Sequence, residues 1–281
     1  MNHPLTALFL VMLCTLAGAA DEPRPYSRDV AKWIEVTPPP NPSDDYSNFM
    51  YRANWSTDEW VVSQVDGKVR AVLKADRDNE SQTARPDFPM SASVGGGDAR
   101  YEPTLVLRTD DGWLAAYNRG EFGSVLWWYS LDGKTKYQIS KSRVNQFIRH
   151  KNRFFAVEGL AHMGYSEGSL IELVKRSGKW TVTQFVELPN SGEAISVLPD
   201  DRFCVVTSDM LLAVSLEKHM EILLPNARWG GLYPNSVTTD GEGRNIYIGM
   251  RQFVVRYELA DKEHRTHLLV PAHSFLNKKT Y

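Results

Sequence analysis

The sequence predicts an all-β chain folded as a single β-propeller of five four-stranded blades, its ring closed by an N-terminal strand. Three observations carry that expectation. One unit recurs between residues 102 and 270: an apolar strand, a tight polar turn, a second strand opening on a bulky apolar residue, then an outer hairpin. The residues that open the second strands, Trp113, Phe154, Phe203 and Ile246, follow one another at 41, 49 and 43 residues. A period in the forties with several short strands per unit suits a blade that cannot bury both faces of its sheet without neighbours. Asp-Gly pairs between apolar runs then mark hairpins. Finally, no segment sustains helical periodicity, so helix is expected to be scarce.

In chain order, Leu5 to Leu16 is an apolar run too short to span a bilayer, followed by small residues and Asp21-Glu22. It reads as a secretory signal over residues 1–20, cleaved after Ala19 or Ala20. Cys14 suggests a lipoprotein at first sight, but Leu13 precedes it where a small residue is wanted and it lies inside the apolar core of the signal. Residues 21–50 are rich in Pro and Asp, with Thr37 to Pro42 as an extended connector. Before the connector, Lys32 to Val36 has strand character and is expected to complete the blade made by the other chain end, which removes exposed edges.

The propeller proper is expected over residues 51–271, followed by a tail over 272–281. Its first, degenerate unit contains Trp60 to Val65, the turn Asp66-Gly67 and Lys68 to Leu73, read as the outer two strands of a blade. The same motif recurs as Trp127 to Leu131, Asp132-Gly133 and Lys134 to Tyr137. Residues 76–101 read as a long polar loop between blades. Inner strands are expected at Thr104 to Arg108, Gln146 to Arg149, Ala194 to Leu198 and Ser236 to Thr239. Third strands fall at Leu170 to Leu173, Leu211 to Val214 and Phe253 to Tyr257, and the units end at Ile139, Leu188, Leu224 and Val270. Trp127-Trp128-Tyr129 reads as packing between blades rather than as a ligand platform.

Composition excludes several functions. The 281 residues carry a formal charge of −2 without strong clusters of Lys or Arg, so nucleic acid is not an expected partner. Once the signal is removed only Cys204 remains, which rules out an intramolecular disulfide; its alternating apolar context reads as a buried, inert thiol. Familiar signatures of zinc and phosphate chemistry are missing: there is no His-Glu-x-x-His, no Gly-rich phosphate loop with Lys and no paired Cys ligands. His264 and His267, three apart beside a strand, fall on opposite faces.

Chemistry is expected where polar residues precede each inner strand: Glu102, Asn145, Glu193 and Asn235, spaced by 43, 48 and 42 residues. If the register holds, all four reach one mouth of the central channel as candidate ligand-binding residues. Oxygen-bearing side chains from several blades are also what a hard cation such as Ca²⁺ requires. A second candidate is the stretch Glu158 to Gly168, read as a loop, in which His162 is a candidate general base.

Around Tyr233-Pro234-Asn235-Ser236-Val237, followed by Asp240-Gly241, the chain resembles the gluconolactonase and regucalcin-like propellers. That resemblance implies a divalent ion held by Glu and Asn side chains from separate blades, with Glu102, Asn145 and Asn235 as ligands and Glu193 standing where an acid is wanted. The family has six blades, against the five counted here. The function expected from the chain as a whole is that of a secreted or periplasmic binding protein. It would act as a monomer, without a resident cofactor, through its channel mouth and loops on an extracytoplasmic protein or a small ligand. The alternative is a hydrolase of the lactonase or esterase kind, dependent on Ca²⁺ or another divalent cation held by Glu102, Asn145, Glu193 and Asn235, with Glu193 or His162 as the catalytic residue.

Overall fold

A computed structural model describes residues 26–80 and 85–276; the expected signal, Cys14 and the end of the tail lie outside the described residues. The chain is all-β in its core, built from antiparallel four-stranded meanders that pack on one another in sequence order. A single 3₁₀ turn, Val30–Lys32, leads into β1 (Ile34–Val36). As expected, this N-terminal strand pairs antiparallel with the last of the described strands, Ile34 opposite Val270, giving a five-stranded final sheet.

The Pro-rich segment is only partly extended. Residues 37–42 lack regular structure, but α1 (Asp44–Asn54) follows at once. The Ser43 side chain caps it by accepting from the Tyr46 N–H at 3.0 Å, while Asp44 and Asp45 in the first turn and Arg52 in the last complement the helix dipole. The helix escapes a periodicity reading because it buries little apolar surface beyond Ala53.

The hairpin of β2 (Trp60–Val65) and β3 (Lys68–Leu73) has the expected bounds and a two-residue turn with Asp66 and Gly67 at φ 51° and 73°. It is a two-stranded sheet, however, and it lies inside rather than outside. Trp60 and Val62 are buried, the Trp60 N–H donates to the Met250 carbonyl (3.0 Å), and the Val62 N–H donates to the Ser236 hydroxyl (2.9 Å). The apolar face of β2 thus binds it to the inner strand of the final sheet, correcting its assignment as an outer strand.

After α2 (Lys74–Glu80), the described part of the expected polar loop is also packed. Met90, Ala92 and Val94 are buried against Tyr117 and Tyr129, and β4 (Ala92–Ser93) pairs with β5 (Arg100–Tyr101). The polar and glycine residues of this stretch obscured an apolar rib that covers an otherwise open sheet face.

The meanders follow. The first comprises β6 (Leu105–Arg108), β7 (Gly112–Asn118), β8 (Ser124–Ser130) and β9 (Lys136–Ser140). The second comprises β10 (Val144–His150), β11 (Arg153–His162), β12 (Tyr165–Arg176) and β13 (Lys179–Leu188). The third comprises β14 (Gly192–Val197), β15 (Phe203–Thr207), β16 (Leu211–Val214) and β17 (Met220–Leu224). The last comprises β18 (Ser236–Thr239), β19 (Asn245–Gly249), β20 (Val254–Glu258) and β21 (Thr266–Val270).

Two turns depart from expectation. Asp132-Gly133 sits in a longer connection in which only Gly133 has positive φ. The Ser130 hydroxyl bonds the Asp132 carboxylate and accepts from the Thr135 N–H, holding a wider loop. Glu158 to Gly168 is a continuous ladder rather than a loop, with Gly159 opposite Gly168 and only Met163-Gly164 as the turn.

The core lies between successive sheets. Leu114, Ala156, Ile171 and Trp180 fill the first interface, and Phe155, Phe185, Phe203 and Val205 the second. Trp60, Cys204, Trp229, Ile248 and Phe253 belong to the cluster uniting the third meander, the final sheet and the β2–β3 hairpin. Cys204 is fully enclosed, and burial pushes its thiol up to about 12. Trp128 stacks on Tyr137 at 5.1 Å while Trp127 packs on the opposite, Met90 side, so this aromatic run serves both faces of its sheet.

Candidate functional site

In an up-and-down meander the entries to the inner strands and the turns between second and third strands share one end. That end carries all four sequence-predicted residues. Two of them occupy matching irregularities: the β10–β11 register shifts between Val144 and Gln146, and the β14–β15 register shifts between Gly192 and Ala194. Asn145 and Glu193 are the extra residues of two β-bulges in consecutive sheets, a device that turns a side chain out of the regular pleat.

Glycine permits the arrangement around Glu193. A Cβ on Gly159 would stand 2.6 Å from the Ser191 hydroxyl and the Gly192 nitrogen, and one on Gly168 would stand 2.6 Å from the Asn190 carbonyl. The β11–β12 ladder therefore touches the connection into β14 backbone to backbone. Ser166 reinforces it by accepting from the Ser191 N–H at 2.8 Å.

Asn145, in the second meander, bonds to both of its neighbours. Its oxygen accepts from the Asn118 amide at 2.7 Å and its own amide donates to the Gly192 carbonyl at 2.7 Å, one residue from Glu193. Glu193 remains partly exposed as a residue, while burial around its carboxyl pushes the pKa up to about 7. The neighbouring Ser191 hydroxyl, itself enclosed and without a hydrogen bond of good geometry, offsets that burial only in part. A carboxyl of this kind holds a proton over much of the range in which ordinary glutamates have lost theirs, and it can donate or accept a hydrogen bond.

The other two predicted residues stand apart from this pair. Glu102 is exposed, faces Arg85 at 3.7 Å, and lines a cavity of about 160 Å³ with Phe88, Met90 and Val106. Asn235 donates to Glu59 at 3.1 Å, and Glu59 pairs with Lys74 at 2.7 Å. Glu59 is a fifth strand-entry residue, directly before β2, which the outer-strand assignment of that hairpin concealed. A cation at Asn145 would compete with the Asn118 amide for its oxygen and with the proton on Glu193. Among the described residues no three His, Cys, Asp or Glu side chains cluster as a metal site.

His162 does have a partner: its Nε2 lies 2.7 Å from Glu121, on the 3₁₀ turn Gly120–Phe122 that joins β7 and β8. Both side chains are substantially exposed, so the pair sits on the rim. His264 bonds the Tyr257 hydroxyl (3.0 Å) and His267 bonds Glu35 (2.7 Å), in keeping with their separate roles.

The sequence reading missed the apolar character of this end. Of the ten large apolar side chains left exposed among the described residues, six belong to it: Tyr51, Trp55, Phe122, Met163, Tyr165 and Tyr233. Met163 is 91% exposed and Phe122 71%. Their positions in turns and in a polar helix gave no periodic signal.

No family model matches the chain, and no curated protein matches it in sequence. Solved structures do. Virginiamycin B lyase from Staphylococcus aureus shares 11% identity over 66% of this chain and 61% of its own, with a TM-score of 0.43. A gluconolactonase from Xanthomonas campestris shares 9% identity over 63% of this chain and 61% of its own, with a TM-score of 0.41. An auxiliary nutrient binding protein from Bacteroides ovatus shares 9% identity over 77% of this chain and 50% of its own, with a TM-score of 0.43. The chain thus spans about half to three fifths of the length of these structures, and gluconolactonase is among its structural matches at low identity.

Proposed function

We propose that the chain is a five-bladed propeller, the β2–β3 hairpin forming the inner part of its first blade, and that it works outside the cytoplasm as a binding protein whose partner docks over the strand-entry end. The observation that carries this reading is the concentration of six exposed large apolar side chains on that one end, beside the polar pairs Asn118–Asn145 and Asn235–Glu59. Exposed apolar side chains gathered on one end of a molecule point to an interaction site more strongly than the same number scattered over it. The polar rim supplies hydrogen bonds around that apolar surface.

The test immobilises the chain without its first 20 residues and compares its capture of extracytoplasmic proteins with that of a Phe122→Asp/Met163→Asp double variant. Saturable capture by the wild type that falls at least tenfold in the variant supports the reading. Equal capture by both overturns it.

A second reading rests on Glu193. A carboxyl with a pKa near 7 beside an amide suits general acid–base chemistry, as the lactonase alternative requires. Hydrolysis of δ-gluconolactone that depends on added Ca²⁺ and is lost in Glu193→Gln would establish that reading. Identical rates with wild type, variant and buffer would end it.

A further inference from the structure

We infer that Tyr51, Trp55, Tyr233 and Arg251 form an anchor for an acidic segment of the partner protein; this rests on the strand-entry end being the docking face. Three elements meet there. The C-terminal end of α1 projects Tyr51, 64% exposed, and the capping residue Trp55, 59% exposed, as neighbours with ring centroids 6.2 Å apart. The helix is fixed beneath them, since Phe49 stacks on Phe253 at 5.5 Å and Ala53 is buried.

Arg251, between β19 and β20, donates to the Asn54 carbonyl at 2.9 Å and to its side-chain oxygen at 3.2 Å. The same guanidinium lies 4.2 Å from the ring centroid of Tyr233, covering one face of a ring that is still 52% exposed. Tyr233 is held in left-handed backbone at φ 52°, a conformation costly for a bulky side chain and retained only where its surroundings enforce it.

Trp, Tyr and Arg are the residue types that dominate binding energies at protein interfaces, and side chains already ordered lose less entropy when a partner arrives. Here both features occur together, beside the polar rim at Asn235 and Glu59.

The charge around the anchor selects the partner. Arg52 is exposed on α1, and Arg228 is exposed on the connection that leads to Tyr233. The nearby acids are engaged or distant. Asp58 is buried, Glu59 is held by Lys74 and Asn235, and Asp209 accepts from Asn190 at 2.6 Å. Asp44 and Asp45 lie at the far end of α1, roughly 15 Å away at the helical rise per residue. A cationic, aromatic surface on a chain of net charge −2 is complementary to a segment that carries Asp or Glu beside an aromatic or aliphatic side chain.

A random 12-residue peptide library displayed on phage, selected on the immobilised chain, tests this directly. The expected outcome is enrichment of peptides rich in Asp and Glu that contain an apolar residue. A selected peptide should bind at least tenfold more weakly to Trp55→Ala and to Tyr233→Ala, and should lose salt sensitivity in Arg52→Glu/Arg228→Glu. Unchanged melting temperatures keep these variants informative.

Failure to enrich peptides, enrichment of basic or uncharged ones, or full binding to both aromatic variants overturns the inference. So does tighter, aromatic-dependent binding of heparin or of vesicles containing phosphatidylglycerol, because the occupant would then not be a protein. Peptide binding lost in Phe122→Asp/Met163→Asp but kept in Trp55→Ala and Tyr233→Ala would remove the anchor while leaving the docking face in place. Indifference to all of these substitutions would remove both.

Discussion

At the strand-entry end, the second and third meanders meet through glycine, whereas the β2–β3 hairpin, which also meets Gly249 of the final sheet backbone to backbone, adds a buried tryptophan. In the first seam, Gly159 and Gly168 bring the β11–β12 ladder against the Asn190 to Gly192 backbone with no side chain between. In the second, Trp60 is fully buried among Tyr26, Trp33 and Phe275, with ring centroids 5.0, 4.8 and 5.6 Å away, and its indole N–H donates to the Gln252 carbonyl at 3.2 Å. The glycine seam fixes where a backbone lies, and so where Glu193 and Asn145 point. The tryptophan seam supplies the apolar burial that a two-stranded unit needs to stay attached, since an isolated hairpin is at best marginally stable.

Breaking the second seam should have the larger effect. Trp60→Ala is expected to cost about 3–5 kcal/mol of unfolding free energy, read as a lower urea midpoint, through lost burial and the cavity left behind. Gly168→Ala should cost about 1–3 kcal/mol, because the added methyl must displace backbone rather than a flexible side chain. It should also move the titration of Glu193, followed by carboxyl NMR, toward the ordinary glutamate range as the site loosens; a destabilised protein with an unchanged Glu193 titration would separate the seam from the site.

A subtler test uses pH. Folding raises the Glu193 pKa from an ordinary 4.5 to about 7, so the stability associated with its proton is complete below about pH 4.5 and is lost as pH rises through 7. Glu193→Gln retains a neutral side chain throughout. The variant should match the wild type at pH 4 and be more stable by about 1–3 kcal/mol at pH 8, a range lowered for the residue's partial exposure. A difference that does not depend on pH would show that burial is not what holds the proton. The smallest effect on folding belongs to the rim: Met163→Asp should change stability by no more than about 0.5 kcal/mol while weakening partner capture.

The two seams were not equally legible in the sequence. The strands of the tryptophan seam were read with their bounds, because Asp66-Gly67 between two apolar runs leaves few other foldings; β16 and β18 were read with theirs from their place in the repeated unit. The outer position given to the hairpin was a misreading, since a hairpin turn says nothing of which neighbour its apolar face will meet. In the glycine seam, Gly159 and Gly168 pointed to a loop, because glycine signals flexibility and close approach alike, and only the pairing of the two distinguishes them.

The bulges at Asn145 and Glu193 were invisible for a related reason. A bulge is a property of register between two strands, and one strand read alone does not contain it. The spacing of polar residues nevertheless found both positions. Glu59 followed the same rule and was passed over with the misplaced hairpin. Tyr51 and Trp55 lie four apart on a helix whose main sequence mark is its capping serine.

The pairing of β1 with β21 also bears on how the chain comes to be folded. Ile34 meets Val270, 236 positions further along the chain, so β1 is made long before the strand it pairs with. Until then it presents unsatisfied backbone donors and acceptors to any other strand in reach. Contacts so distant in sequence are closed late and at a high entropic cost. Nascent chains stalled before residue 266 should therefore be the aggregation-prone species, and truncation at either terminus should open the same sheet.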